Sequence, residues 1–487
     1  MGLSMSTAAS KDTQTHIKFG TDGWRAVTAD QFTFANLERV SQAYASHILK
    51  EGGASHTVSI GYDNRFLSED FATRVGQVLL GNGIGVQLFS HAVPTPLLSF
   101  AVVNAKHAGG IMITASHNPP QFNGFKIKAN WGGSAFEEET RAVESLVPDH
   151  SAVKLAGQAE VRPVDSAGIW KIYKDHVHRL LDIEAIKNSD LSVIVDSMHG
   201  TGSTCIEEFL QGGKAKVKVQ TIRAHRDPLF GGVAPEPVDR NLALTKQTVL
   251  QQKATVAVVT DGDADRVGAV SDKGETMTML EVVPILLKHL MKRGGKGKVV
   301  ATVTQSVLLR RMAAANNLEF IETPVGFKYI AKEILDGGVL IGAEESGGIG
   351  VAGHIPERDG IYNSLLFLES LAVSGKKPTE LIAEIHKEFG FFAYGRNDLH
   401  VTPEAGVSFL AELQRNAPNS IAGNKVAQMI TMDGVKFALA DDSWLMFRQS
   451  GTEPVLRCYA EGTSQEKAQQ LLSEALVLLK KFQPVGV

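Results

Sequence analysis

Only two cysteines, Cys205 and Cys458, occur in the 487 residues, and they stand far apart in the chain. That excludes a disulfide framework and any paired-cysteine metal or redox motif, and it fits a reducing, cytoplasmic setting. Apolar runs long enough for a membrane-spanning helix, about eighteen residues or more, are missing, so no membrane span is expected. Excess charge is small as well: 49 Lys and Arg against 53 Asp and Glu give a net charge of −4. Neither nucleic acid nor an acidic membrane is therefore expected as the main partner. The start has no basic stretch before an apolar core, so no secretory signal is read there. Met1-Gly2-Leu3-Ser4-Met5-Ser6 matches a loose acylation pattern, yet residues 1–16 read better as a short, polar, disordered leader. No Walker-type Gly-x-x-x-x-Gly-Lys-Ser/Thr sequence and no Gly-x-Ser-x-Gly elbow occur, which argues against a P-loop ATPase and an α/β-hydrolase.

What is present is a repeated scheme: an apolar run, a polar or Gly-rich turn, then a helical pattern. Val58–Arg65, Val193–Gly200, the segment around Asp261 and Val299–Ser306 all follow it. Buried strands alternating with helices predict α/β units, with ligands gathered at the loops after the strands. Apolar residues at three- and four-residue spacing predict helices over 33–50, 68–82, 169–182, 280–293, 361–374 and 465–482. Polar breaks near 155–166, 271–276 and 388–396 divide the chain into segments 17–160, 161–274, 275–390 and 391–487. The last has alternating strands followed by one long helix.

Chemistry concentrates in the loops. Val256-Ala257-Val258-Val259 runs into Asp261-Gly262-Asp263-Ala264-Asp265-Arg266. Alternate residues on extended chain point the same way, so three carboxylates are expected to converge. Such a trio repels itself unless a cation sits among the oxygens, and an all-oxygen set suits Mg²⁺. Phosphoryl transfer is the leading idea from this loop alone. An EF-hand is excluded, because counting from Asp261 its Gly and Glu positions hold Arg266 and Asp272. An aspartyl-phosphate hydrolase with Asp263 as nucleophile stays open.

Thr114-Ala115-Ser116-His117-Asn118-Pro119 sets a hydroxyl on a tight turn, with Gly124 and Lys126 following. Lys126 there could neutralise phosphate oxygens or move a proton. Neighbouring Ser116 and His117 do not by themselves make a nucleophile–base pair, and these residue types also form plain turns. Arg448-Gln449-Ser450-Gly451-Thr452-Glu453-Pro454, with Arg457 beyond, offers backbone amides, two hydroxyls and guanidinium groups for an anion. Gly342-Ala343-Glu344-Glu345-Ser346-Gly347-Gly348 offers carboxylates and a hydroxyl suited to vicinal sugar hydroxyls. Thr323-Pro324-Val325-Gly326-Phe327-Lys328 and His354-Ile355-Pro356-Glu357-Arg358-Asp359-Gly360 are charged loops on either side of it. Phe19-Gly20-Thr21-Asp22-Gly23-Trp24-Arg25 either places Arg25 on a phosphate or is a turn anchored by Trp24.

Together and in this order, these loops resemble those of the α-D-phosphohexomutase family, which includes phosphoglucomutase and phosphomannomutase. The resemblance runs from residue 17 to 460. It implies three similar mixed α/β domains plus a smaller α+β domain around a central cleft, acting on a phosphosugar. Ser116 would carry the phosphoryl group and hold Mg²⁺ with Asp261, Asp263 and Asp265. Arg25, His117, Lys126 and Arg266 would surround the transferring group. Glu344 and Ser346 would contact sugar hydroxyls, with Thr323, Gly326, Lys328, Arg358 and His354 on the sugar side. His354 or Arg358 would handle a proton opposite Lys126. Arg448, Ser450, Gly451, Thr452 and Arg457 would grip the phosphate that is not reacting. Hexose 1,6-bisphosphate would be intermediate and activator, and the protein a monomer or weak homodimer.

Two positions depart from the family pattern. Ala264 replaces a usual Gly, and Gly348 stands where phosphomannomutase-type and glucosamine-type members have His. The second departure leans toward glucose phosphates. A synthase that releases the bisphosphate would use the same motifs.

Overall fold

The computed structural model describes residues 17–20, 22–52, 56–450 and 454–482. The leader expected over 1–16 lies outside them.

Three sheets share one wiring. In the first, β1 (Gly23–Val27), β2 (Thr57–Tyr62), β3 (Gly85–Leu88), β4 (Gly109–Ile113) and β5 (Phe122–Lys128) lie in the order β1-β5-β4-β2-β3. In the second, β6 (Ser192–Asp196), β7 (Lys218–Ile222), β8 (Val256–Thr260), β9 (Val267–Val270) and β10 (Thr276–Met277) lie in the order β10-β9-β8-β6-β7. The third holds β11 (Lys298–Thr302), β12 (Phe320–Thr323), β13 (Val339–Ala343) and β14 (Ile349–Val351) in the order β12-β11-β13-β14. Each has three parallel strands followed by one antiparallel strand: β4 to β5, β8 to β9 and β13 to β14. Every residue of β4, β8 and β13 is buried. Helices cover both faces of parallel strands, which is why their runs read as continuously apolar.

The repeated wiring positions the chemistry. The Ser116 loop joins β4 to β5, the Asp261–Arg266 loop joins β8 to β9, and the Glu344–Gly348 loop joins β13 to β14. Three loops of unlike sequence occupy one topological place in three units.

Helices form at Phe34–Glu51, Ser68–Gly81, Ala167–Leu180, Met279–Lys292, Gly360–Ser374 and Gln465–Phe482. Their starts follow local chemistry. The Thr33 hydroxyl accepts from the Asn36 amide, and the Asp359 carboxylate accepts from the Tyr362 amide at 2.9 Å. A cap of this kind is worth about 1 kcal/mol. The second sheet extends past residue 274, because Thr276–Met277 still pairs with β9. Val164 bridges Phe89, so the polar stretch before it folds back on the first sheet. The C-terminal part is an antiparallel sheet of six strands, from Ser420–Ile421 at one edge to Ala393–His400 at the other, backed by the helices Pro403–Arg415 and Gln465–Phe482.

Candidate active site

The loop after β8 is not extended. It turns, with the Ala264 amide donating to the Asp261 carbonyl at 3.1 Å and Ala264 itself in the left-handed region at φ 58°. The expectation of convergence along extended chain is corrected here: the turn, not strand alternation, gathers the carboxylates. Left-handed backbone favours glycine, so Ala264 carries a conformational cost there of about 1 kcal/mol. One oxygen from each of Asp261, Asp263 and Asp265 lies within 4.8 Å of the others, and all three residues are buried.

Neighbouring loops hold this turn by its main chain. The Thr95 amide donates to the Asp263 carbonyl at 2.9 Å and the Thr201 amide to that of Gly262 at 3.0 Å. From the third unit, the Gly360 amide donates to the Ala264 carbonyl at 3.0 Å, while the Val267 amide donates to the Gly347 carbonyl at 3.1 Å. A side chain at Gly360 would press a carbon to within 2.4 Å of the Arg266 carbonyl oxygen, so this approach needs glycine.

Ser116 meets the trio from the first unit. Its Oγ donates to Asp261 Oδ2 at 2.8 Å and lies 3.3 Å from His117 Nδ1. Its backbone is left-handed at φ 52°, a conformation that costs energy in a non-glycine residue and is held by its surroundings. Lys126, on β5, donates to Asp263 Oδ2 at 2.9 Å and to Asp265 Oδ2 at 3.0 Å. The Thr95 hydroxyl donates to the same Asp263 oxygen at 2.6 Å. Asp263 Oδ1 and Asp265 Oδ1 are buried without a hydrogen-bond partner. Buried carboxylate oxygens do not stay unpaired without cost. Two orphaned oxygens beside Asp261, all hard donors, fit an oxygen-seeking divalent cation such as Mg²⁺.

The surrounding charges agree. Burial, then Asp263 and Asp265, push the Asp261 carboxyl well above the usual carboxylate range. Burial also opposes the charge of Asp265, but Arg358, Lys126 and Arg266 outweigh it and hold that carboxyl well below its usual range. Lys126 is desolvated, yet Asp263 and Asp265 raise its pKa and keep it charged. His117 is held neutral by burial first, then by Arg266 and Arg25. Arg25 donates from Nη1 to the Asn118 side chain at 2.8 Å, at the rim of the serine loop.

The residues expected on the sugar side divide. Glu344 is buried, with Oε2 free of hydrogen bonds and 3.9 Å from Arg358 Nη1, and burial raises its carboxyl. Ser346 is half-buried beside it. Arg358 reaches Asp265 Oδ2 at 3.2 Å and Asp22 Oδ2 at 3.4 Å. Although buried, it is held charged by Asp265, Glu357, Asp22 and Glu344, so it is no proton acceptor. His354 does not join the site. Its Nε2 pairs with Asp359 Oδ2 at 2.8 Å, its Nδ1 faces His176 at 3.1 Å, and its ring stacks on Tyr362. The turn that sends Arg358 inward packs His354 into the junction of the second and third units. Lys328 is likewise engaged elsewhere, donating to Glu137 Oε2 at 2.9 Å. Thr323 is buried and donates to the Pro324 carbonyl, and Gly326, at φ 134°, starts the helix Phe327–Asp336.

On the C-terminal sheet, Arg448 and Arg457 are direct cross-strand partners. Arg448 Nε donates to Asp433 Oδ2 at 2.8 Å, and the Ser450 amide to the Val455 carbonyl at 2.9 Å. Gly451 and Thr452 lie outside the described residues.

Arg65 lies outside the motif loops yet supports one of them. Its side chain is fully buried and donates to the carbonyls of Ser116, Asn118, Pro119 and Phe122 at 2.7–3.0 Å. Asp63 pairs with it at 3.0 Å and accepts from the Thr114 hydroxyl at 2.6 Å, which in turn accepts from the Ser116 amide. The only available signal was a charged pair closing an apolar strand. Arg65→Met strands Asp63 as a lone buried charge. It is expected to cost about 3–5 kcal/mol of stability, read by denaturant unfolding, and to lower turnover.

A serine hydroxyl set against three converging carboxylates, with lysine and arginines among them, defines a phosphoryl-transfer enzyme. Profiles of the phosphoglucomutase/phosphomannomutase family match in four pieces: alpha/beta/alpha domain I over residues 16–154, domain II over 171–274, domain III over 281–389 and the C-terminal domain over 409–476. A phosphoglucomutase/phosphomannomutase of Thermococcus kodakarensis is 32% identical over 467 residues, covering 95% of this chain and 98% of that one. A Pyrococcus abyssi protein provisionally named phosphoglucosamine mutase is 30% identical over 463 residues, covering 95% and 97%. The crystal structure of a Thermus thermophilus protein, provisionally a phosphomannomutase, matches with a TM-score of 0.85 at 38% identity, covering 96% of this chain and 99% of that one. The chain belongs to the α-D-phosphohexomutase family, and it is an intramolecular phosphotransferase.

Proposed function

We propose that the protein interconverts hexose 1-phosphate and hexose 6-phosphate with Mg²⁺, glucose favoured and mannose within range. The route is a phosphoserine at Ser116 and a hexose 1,6-bisphosphate, which also serves as activator. The observation that carries this is the 2.8 Å contact of Ser116 Oγ with Asp261, inside the trio that Lys126 bridges. We further propose cytoplasmic action on a small phosphosugar alone, by a monomer or weak homodimer. Among the described residues no helix is long and apolar enough to cross a membrane.

Phosphoryl transfer is mostly positioning and charge neutralisation. Asp261, Asp263 and Asp265 would hold Mg²⁺, whose contribution is to offset charge on the phosphoryl oxygens. Lys126, Arg266 and Arg25 add fixed positive charge beside Ser116. Lys126 contributes a donor aimed between Asp263 and Asp265, at 2.9 and 3.0 Å, beside the serine. In the first half-reaction the bond from phosphorus to Ser116 Oγ breaks and one to the sugar hydroxyl oxygen forms. The displaced hydroxyl proton ends on the serine oxygen. The bisphosphate then turns over and the reverse step takes the other phosphoryl group. Arg448 and Arg457 are cross-strand partners on adjacent strands, which sets two guanidinium groups near the Ser450 loop. They, with Ser450, are proposed to hold the idle phosphate.

Gly348 supports the glucose preference. A side-chain carbon there would come within 2.5 Å of Glu344 Oε2 and 2.6 Å of Arg358 Cδ. The space a histidine would need is taken by the Arg358 stem. Gly348→Ala is expected to lower kcat/KM for glucose 1-phosphate by about tenfold or more, read by a coupled assay.

³¹P NMR of glucose, mannose and glucosamine 1-phosphates with Mg²⁺ and a trace of bisphosphate tests the whole reading. The 6-phosphate resonance should grow, fastest for glucose, while the bisphosphate stays at its trace level. Accumulating bisphosphate would identify a synthase instead. Release of inorganic phosphate would identify a hydrolase and overturn the mutase reading.

A further inference from the structure

Two residues beyond Lys126 on the same strand stands a second lysine. Alternate residues of a strand share a face; from that face Lys126 reaches the second unit's aspartates and Lys128 reaches the third unit's Glu357. It is fully buried, and its Nζ meets Glu357 Oε2 at 2.5 Å. The Ser134 hydroxyl donates to the same oxygen at 3.0 Å. The other oxygen of Glu357 faces its neighbour: Oε1 accepts from the Arg358 amide at 2.9 Å and from Arg358 Nε at 3.3 Å. The Arg358 guanidinium, 5.5 Å above the Phe327 ring, is thereby presented to Asp265, Asp22 and Glu344.

We propose that the Lys128–Glu357 pair is a positioning device. It spans the first and third units and fixes the direction of Arg358 against the aspartate cluster. Apolar residues of similar volume commonly hold a buried site as well as an ion pair does. What they do not supply is a carboxylate with one oxygen anchored from β5 and the other aimed at a guanidinium. Glu357 can do both because Lys128 and Ser134 hold its far side. Burial lowers the pKa of Lys128, and Lys128 and Arg358 together outweigh burial to keep Glu357 ionised. The consequence for turnover rests on the mutase reading, whereas the fixation of Arg358 does not.

The test compares the double variants Lys128→Met/Glu357→Leu and Lys128→Met/Glu357→Gln with the wild type. Both remove the buried charges; only the second keeps an acceptor oxygen for Arg358. Arg358 is followed by phenylglyoxal labelling and peptide mass mapping, alongside unfolding temperature, kcat and KM. Arg358 is expected to be protected in the wild type, labelled in the Leu variant and labelled to an intermediate extent in the Gln variant, which keeps the acceptor oxygen but has lost the Lys128 anchor. In the Leu variant kcat should fall roughly tenfold to a hundredfold, and the Gln variant should recover only part of it; full protection and full recovery in the Gln variant would show the anchor to be idle and overturn the proposal. Protection of Arg358 in a folded Leu variant would overturn the proposal. Should that variant not fold, Glu357→Asp carries the same test. Its shorter arm keeps the charge but cannot span Lys128 and Arg358, and continued protection there is equally fatal. A wild type without turnover would sink the mutase reading and leave the labelling result standing.

Discussion

Ser116→Ala is expected to abolish mutase turnover, by at least ~10³-fold in kcat, while leaving the fold in place. The loss is large because no other group can replace that oxygen. His117 is held neutral by burial and lies 3.3 Å from Oγ, but it carries no hydroxyl oxygen to take the serine's place. The cost in stability is small, about 1 kcal/mol, because one short hydrogen bond, to Asp261, is lost. Hexose phosphate turnover and thermal unfolding, measured on the same sample, separate the two effects. A second readout is intact mass. Wild-type protein incubated with the bisphosphate should gain one phosphoryl group, and the alanine variant none. Full activity in the alanine variant would move the chemistry to an aspartate and reinstate Asp263 as nucleophile.

Removal of divalent metal is expected to be comparably severe, lowering turnover by about 10³-fold or more, with Mg²⁺ restoring it. The trio explains the size. Asp263 and Asp265 each bring one buried oxygen without a hydrogen bond, and Lys126 neutralises only the other oxygen of each. Binding should also stabilise the protein, since metal at a hundred times its Kd adds about 2.7 kcal/mol. Unfolding temperature should therefore rise with Mg²⁺ in the wild type. In Asp263→Ala that rise should vanish, together with activity. An unchanged unfolding temperature in the wild type, with full activity in chelator, would remove the metal from the site.

Much of the fold was readable because parallel strands buried on both faces leave unbroken apolar runs, as in β8, and because helix starts carry their own caps, as at Thr33. The aspartate spacing was equally visible. Its reason was not: the carboxylates meet because Ala264 turns left-handed, and a left-handed alanine has no signature in residue type. Arg65 was overlooked because its partners are backbone carbonyls some fifty positions away, and carbonyls are the same in every residue. The Lys128–Glu357 pair spans 229 positions, so nothing local announces it. His354 and Arg358 sit in one short motif, and only the course of the intervening turn decides which faces the aspartates. Residue type left both open.

The aspartate turn takes its curvature from amides contributed by Thr95, Thr201 and Gly360, and it lends one in return to Gly347. Its shape is therefore a joint property of three stretches of polypeptide that share one ancestral-looking wiring. Replacing any one of the three stretches would leave the carboxylates in the chain but withdraw an amide that holds them in place.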